Sequence, residues 1–307
     1  MLSICDVAPR DGLQNEDVVL TPAVRAELVR RLLDAGVAEV EVGSFVNPER
    51  VPAMAGCEEV IADLADADDA RLTALVLNER GYDRLATTGL RRLRFVFTAT
   101  DTFNRRNAGR SLEQIVAEAC RVAGRARTDG RRFSLTIGAA FGCPYEGAVD
   151  PATVVELASQ VAAVGLDELV VADTIGVAVP GQVTTVLDAV RGIAPRLGIH
   201  LHNTRNTGYS NAIAAVNEGV DLLDASVGGV GGCPFAPGAA GNIATEDIVY
   251  LLEREGIETG IDLDALSRLA VWLGERLGHE VEGKIHGVEA WWPTPRATAS
   301  APGGVAP

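Results

Sequence analysis

The stretch Gly198-Ile199-His200-Leu201-His202-Asn203 decides how the chain is read. Taken as a β-strand, its period of two sends His200 and His202 to one face and Leu201 to the other. Two imidazoles side by side, followed by a carboxamide, make half of an octahedral site for a hard divalent cation. Imidazole and oxygen ligands without a thiolate point to Mg²⁺ or Mn²⁺ rather than structural Zn²⁺. The competing reading is a pair of hydrogen-bonded core histidines. The chain has only 4 His, and two of them in one strand favour the cation.

On both sides of this strand, apolar β-type runs alternate with Ala/Leu/Glu-rich helical runs through eight rounds. The strands expected are Leu2–Ala8, Val37–Ser44, Arg71–Leu77, Arg92–Thr98, Arg132–Ala139, Glu168–Ala172, Gly198–His202 and Leu222–Val227. Helices are expected to begin near Pro22, Pro52, Glu79, Ser111, Pro151, Pro180, Thr207 and Thr245. Asp150-Pro151 and Ser111-Leu112-Glu113-Gln114 read as N-cap signals. Eight β-then-α units, with strands apolar enough to be buried on both faces, predict an α/β chain closed into a parallel (β/α)₈ TIM barrel. A doubly wound open sheet competes, but no Gly-x-Gly-x-x-Gly follows the first strand. The barrel is expected over residues 1–260, a C-terminal helical extension over 261–292 and a disordered tail over 293–307. Within the extension, Asp262–Leu277 is amphipathic.

The chain has 307 residues, 47% of them hydrophobic, and a formal charge of -15. That charge argues against nucleic acid or an anionic membrane as partner, because polyphosphate surfaces need clustered Lys and Arg. A small phosphorylated ligand at a local basic patch remains compatible with it. Five scattered cysteines, no leader pattern and no apolar run near about 20 residues predict a soluble, cytoplasmic protein.

In such a barrel the chemistry lies at the C-terminal ends of the strands, and polar, Gly-rich sequence collects there. Asp11, His200, His202 and the Asn242 amide oxygen would form a metal set that leaves positions open for substrate and water. Arg10 adjoins Asp11 but is expected to point elsewhere on the rim, where a guanidinium stabilises a developing enolate or carboxylate oxygen. The alternative for this pair is a surface turn. Glu41, among apolar neighbours, needs a cation, and Arg10 is its expected partner; a solvated strand-end charge is the alternative. Cys233, with four glycines close before it, is a candidate proton donor on a mobile loop. Cys5, Cys57 and Cys120 read as buried inert thiols, and Cys143 reads either way. For Glu146, Glu246 and Asp173, orienting roles and direct ones are both open.

Pro9-Arg10-Asp11-Gly12-Leu13-Gln14-Asn15-Glu16, Ser44-Phe45-Val46-Asn47-Pro48, Gly142-Cys143-Pro144-Tyr145-Glu146-Gly147, Asp173-Thr174-Ile175-Gly176 and Gly231-Gly232-Cys233-Pro234-Phe235 together resemble the 3-hydroxy-3-methylglutaryl-CoA lyase family. Its members are metal-dependent barrel enzymes whose first strand ends in an Arg-Asp pair. The resemblance runs in order from about Ile4 to Gly260. It implies a divalent cation, Mg²⁺ or Mn²⁺, on Asp11, His200, His202 and Asn242, and Arg10 holding an enolate with Glu41 behind it. It also implies Asp173 in proton handling and Cys233 as the catalytic thiol. The reaction implied is retro-Claisen cleavage of a 3-hydroxy-3-methylglutaryl-CoA-like thioester to acetyl-CoA and a 3-oxo acid, acetoacetate for the lyase itself. An acyl-CoA needs cations for its phosphates, and Arg105, Arg106 and Asn107, with Arg110, in the loop after strand four, are the best cluster. A solvated basic loop is the alternative. A homo-oligomer, a dimer, is expected, with the Leu-rich helix after Asp262 either on the second copy or capping the barrel.

Three departures bear on the substrate. Asn203-Thr204-Arg205-Asn206 stands for the family's Asp-Thr-Tyr-Gly, Asp17 for a Lys, and Ser134-Leu135-Thr136-Ile137 for a stretch with an Arg and a Tyr. Arg205 is therefore expected as a new contact for a substrate carboxylate. The alternatives are a lyase for another branched 3-hydroxyacyl-CoA, a barrel aldolase or condensing synthase using a 2-oxo acid, and a non-catalytic ligand-binding relative.

Overall fold

The structure, a computed structural model, describes residues 2–232 and 241–288. Eight parallel strands, β1 (Ser3–Asp6), β2 (Glu39–Ser44), β3 (Leu72–Val76), β4 (Arg92–Thr98), β5 (Arg132–Gly138), β6 (Glu168–Asp173), β7 (Arg196–Leu201) and β8 (Leu222–Ala225), pair in sequence order. β8 pairs back onto β1, from Ser3 with Leu222 to Asp6 with Ala225, and the barrel closes. This is a (β/α)₈ TIM barrel, as the eightfold alternation predicts. The helices between the strands are α1 (Pro22–Asp34), α2 (Cys57–Asp63), α3 (Glu79–Ala86), α4 (Asp101–Ala108), α5 (Leu112–Thr128), α6 (Pro151–Ala162), α7 (Pro180–Val190) and α8 (Gly208–Asn217). α9 (Thr245–Arg254) and α10 (Leu263–Leu277) follow β8.

Local chemistry starts several helices where the sequence says. The Ser111 hydroxyl accepts the Gln114 N–H while the Gln114 side chain accepts the Ser111 N–H, a complete capping box on α5. Asp150 accepts the Ala152 N–H at 2.9 Å in front of Pro151. Two expectations differ. The helix expected near Pro52 is a single 3₁₀ turn, Pro52–Met54, and α2 starts only after Gly56, which adopts φ +70°. The segment after β4 is a helix, α4, because the Asn104 amide gathers Thr98 N–H, Thr98 C=O and Thr100 C=O and folds the chain back.

β1, β3, β5, β7 and β8 end one or two residues before the expected position, β2 and β4 end where expected and β6 ends one residue later, and these ends place the rim residues. After Asp6 the chain leaves the wall and winds Ala8–Gly12 into one π-helical turn, with Gly12 N–H on the Val7 carbonyl at 3.2 Å. The Asp6 carboxylate stabilises this exit by accepting Ala8 N–H, Val227 N–H and the Thr245 hydroxyl at 2.6–2.9 Å. At the other end of the chain, α10 packs against α1 and α9, so it covers its own barrel.

The segment after α10 straps the glycine turn that follows β8. Gly283 N–H reaches the Gly228 carbonyl at 2.9 Å, and Lys284 and Ile285 N–H groups reach the Asp247 carboxylate at 2.9 Å. A Cβ at Gly228 would meet Val281 at 3.0 Å, so the close approach needs glycine there. Two histidines pin the strap: His279 lies 2.8 Å from Glu16 and His286 lies 3.6 Å from Glu246. The tail from Pro293 lies outside the described residues. Among the described residues no helix is long and apolar enough to cross a membrane.

The Glu280 carbonyl and then Glu16 raise the His279 pKa, and Glu246 raises that of His286. Each binds its proton more tightly folded than unfolded. Their contribution is therefore complete below the ordinary value of 6.5 and fades as the pH rises through the raised values. Hydrogen-exchange protection at Gly283, Lys284 and Ile285 is expected to fall above about pH 6.5, and the double variant His279→Gln/His286→Gln to lose that pH dependence.

Candidate active site

A cavity of about 380 Å³ opens at the C-terminal rim and runs into the barrel past Asp11, His200 and His202. The two imidazoles come from β7 and the residue just after it, with ring centroids 5.1 Å apart. Asp11 arrives from the π-helical turn, its Oδ2 3.9 Å from His200 Nε2 and 3.6 Å from His202 Nε2. Donor atoms of the three residues all lie within 4.8 Å of one another. Ligands about 2.1 Å from one octahedral cation sit about 3 Å apart along each edge. This carboxylate and two imidazoles are therefore spaced to converge on a single divalent ion with small adjustment. Burial pushes the Asp11 carboxyl up, but Arg10 and the two imidazoles outweigh it and hold the group well below the ordinary range. An ionised oxygen is what a hard cation requires.

Asn242 stands opposite His202 in an antiparallel bridge, anchored by Asn203 N–H on the Gly241 carbonyl at 2.9 Å. Its amide nitrogen donates to Asp11 at 3.0 Å and to the Val230 carbonyl at 3.1 Å. A half-turn of the amide presents its oxygen to the same place.

Arg10 lies against Asp11, contrary to the expectation that it points elsewhere on the rim. The π-helical turn puts both side chains on the cavity side, and the guanidinium bridges Asp11 and the wholly buried Glu41. The Glu41 partnership is the expected one; its Oε1 has no hydrogen-bond partner.

Asp173, the last residue of β6, accepts the Val177 and Ala178 N–H groups at 2.9 Å, one on each oxygen, within electrostatic reach of His202 and His200. Burial raises its pKa. Glu146 caps α4 through Thr102 N–H, and Glu246 accepts Gly228 N–H. Cys233 lies outside the described residues. Cys143 is buried and accepts the Thr100 hydroxyl at 3.0 Å, while Cys120 is only half-buried, contrary to expectation.

The basic cluster is on α4, not in a loop. Arg105 pairs with Asp101 and Arg106 lies over the Tyr145 ring, whereas Asn107 and Arg110 line the cavity mouth. Arg205 does not reach the cavity. It donates to the Ile175 and Gly176 carbonyls at 2.8 and 3.0 Å, locking the β6 and β7 loops together, which removes it as a substrate contact. Asn203 caps the start of α8 through Gly208 N–H, and Asp17 is exposed outside the cavity.

Two interior residues escaped the sequence reading. Arg94 of β4 makes a two-point contact with Asp224 of β8 at 2.6 and 3.2 Å, and Asp224 in turn meets His200 Nδ1 at 3.2 Å. Burial opposes the charge on both, yet Arg94 holds Asp224 ionised below its ordinary range and Asp224 raises Arg94. Asp224 leaves Nε2 of His200 facing Asp11. The available signal was Arg92-x-Arg94, charges at strand period on an inward face, the same signal read at Glu41.

Residues 1–272 match the family described as HMGL-like. The chain belongs to the HMGL-like family. Like the other lyases of this family that it resembles, it is an oxo-acid lyase. It is 49% identical over 298 residues to the (R)-citramalyl-CoA lyase of Chloroflexus aurantiacus, covering 92% of this chain and 93% of that one. The crystal structure of the Bacillus subtilis HMG-CoA lyase superposes with a TM-score of 0.89 at 35% identity, covering 93% of this chain and 97% of that one. An HMG-CoA lyase from Acinetobacter baumannii, solved with coenzyme A and 3-methylmalate, matches with a TM-score of 0.89 at 34% identity over 99% of this chain and 98% of that one.

Asp224 holds the His200 ring through Nδ1. Asp224→Asn is expected to weaken Mn²⁺ binding about 10- to 100-fold by isothermal titration calorimetry, and His200→Ala to abolish it.

Proposed function

We propose that the protein is a divalent-metal-dependent lyase that splits a branched 3-hydroxyacyl-CoA bearing a carboxylate, with (R)-citramalyl-CoA as its substrate and acetyl-CoA and pyruvate as products. The observation that carries the reading is the convergence of Asp11, His200 and His202 beside the Arg10–Glu41 pair at the mouth of one cavity. The relative named a citramalyl-CoA lyase, at 49% identity, supports the choice of acyl group. Cleavage of 3-hydroxy-3-methylglutaryl-CoA to acetyl-CoA and acetoacetate is the second reading, supported by the neighbours named HMG-CoA lyases.

Asp11, His200, His202 and Asn242 would hold the ion. The ionised Asp11, faced by Nε2 of both imidazoles, fits such a load. When bound, the cation lowers the pKa of the substrate's tertiary hydroxyl and orients it. A general base takes the hydroxyl proton, the carbinol becomes a ketone as the adjacent C–C bond breaks, and the electron pair of that bond passes into a thioester enolate. Arg10, held flat by Glu41 and Asp11, donates to the enolate oxygen. Cys233 then returns a proton to the enolate carbon, giving acetyl-CoA. Asn107 and Arg110 at the cavity mouth receive the coenzyme's phosphates, with Arg105 and Arg106 behind them.

Incubation with (R)-citramalyl-CoA and Mg²⁺ or Mn²⁺ is expected to release pyruvate, to stop on chelation and to resume on adding metal; release of acetoacetate alone from 3-hydroxy-3-methylglutaryl-CoA would select the second substrate. Arg10→Lys keeps the charge but loses the fork. It is expected to lower kcat by at least about 100-fold while leaving Mn²⁺ affinity within a few-fold.

A further inference from the structure

The cavity does not end at the metal-ligand layer. Small residues line it, with Ala172 paired to His200, Gly138 at the end of β5 and Val96 and Thr136 one inward position further down, and the lining continues to Arg94. There two polar atoms are buried and unpartnered: Arg94 Nε and Thr136 Oγ1. The β4–β5 register pairs Arg94 with Ser134 and Val96 with Thr136, which makes Arg94 and Thr136 diagonal neighbours on the inner face. Their residues are 2% and 7% exposed, so what exposure remains faces this cavity. A buried donor without an acceptor is costly and is ordinarily satisfied by whatever occupies the space.

We propose that Arg94 Nε and Thr136 Oγ1 form a polar floor that receives the carboxylate of the substrate's acyl group, and that this pair selects carboxylated 3-hydroxyacyl thioesters over uncharged ones. Each atom can donate one hydrogen, and a carboxylate offers lone pairs to both. Asp224 occupies only the terminal nitrogens of Arg94, so Nε remains free while the guanidinium stays fixed. The charge balance agrees. Arg10 and Arg94 face Asp11, Glu41 and Asp224, and a dication on the rim set leaves a single positive charge, which one substrate carboxylate neutralises. The floor cannot discriminate by size alone, since one methylene changes a hydrophobic fit only modestly, whereas unpaired buried donors reject an uncharged analogue strongly.

This inference rests on the lyase reading, and the test separates the two. Thr136→Val keeps the shape and removes the hydroxyl. With Mn²⁺-loaded enzyme, kcat/KM for the carboxylated thioester that the unaltered protein cleaves is expected to fall about 10- to 100-fold. The Kd of 3-hydroxy-3-methylbutanoyl-CoA, in which a methyl group replaces the carboxylate-bearing group, is expected to stay within about 2-fold by calorimetry. Arg94→Lys, which keeps the charge without Nε–H, is expected to repeat the pattern, and thermal unfolding checks that each variant folds. Unchanged kcat/KM in Thr136→Val, or equal loss for both ligands, overturns the floor and leaves the lyase reading standing. Cleavage of neither carboxylated thioester by the unaltered protein overturns the lyase reading, and the floor with it.

Discussion

An ion buried in a barrel must face an opposite ion, because an uncompensated buried charge costs several kcal/mol. That constraint organises the interior of this protein. Toward the N-terminal end, Arg92 and Arg196 meet Glu39 and Glu168, and Ser134 joins Glu168 at 2.8 Å, a charged plug where such barrels usually pack aliphatic side chains. Higher up, Arg94 meets Asp224, and at the rim Arg10 meets Glu41 and Asp11. Each pair is satisfied only if all the contributing strands are in register, so the charges specify one arrangement as well as occupying it.

The same pairing prepares the chemistry. Arg10 favours the ionised form of Asp11, and Asp224, whose own ionised form Arg94 favours, fixes the His200 ring with Nε2 toward that carboxylate. The side chains of this candidate metal site are thus oriented by neighbours, so they would need little reorganisation to take a cation. Glu41 and Asp224 come from β2 and β8, on either side of β1, which leads into the Arg10-Asp11 turn, so closure of the barrel through the β1–β8 ladder is a condition of the site and not merely of stability.

The loops are held by main-chain contacts where the family pattern changes. Arg205 clamps two carbonyls of the β6 loop, and Asn203 caps α8. Those substitutions alter how the rim is braced, whereas Thr136, within the Ser134–Ile137 departure, borders the space an acyl group would fill. The departure that borders the cavity lies inside the barrel, one strand away from the buried guanidinium of Arg94.

Much of this was written in the chain order. Eight apolar runs alternating with capped helical runs point to a parallel sheet covered by helices, and eight consecutive rounds without a Gly-x-Gly-x-x-Gly after the first strand favour its closure into a barrel. The period of two in Gly198–Asn203 put His200 and His202 on one face, and the buried carboxylate at Glu41 demanded a cation nearby. Tertiary structure alone decided the rest. That Arg10 folds back onto Asp11 depends on a five-residue π-helical turn, whose hydrogen bond from Gly12 to Val7 no local propensity signals. That Arg205 braces a loop instead of meeting substrate depends on carbonyls some 30 residues away, and that Asp224 orients His200 depends on a register between β7 and β8. Periodicity reports which face a side chain occupies; its partner across the barrel is set by closure, which joins positions more than a hundred residues apart, as Arg94 and Asp224 are.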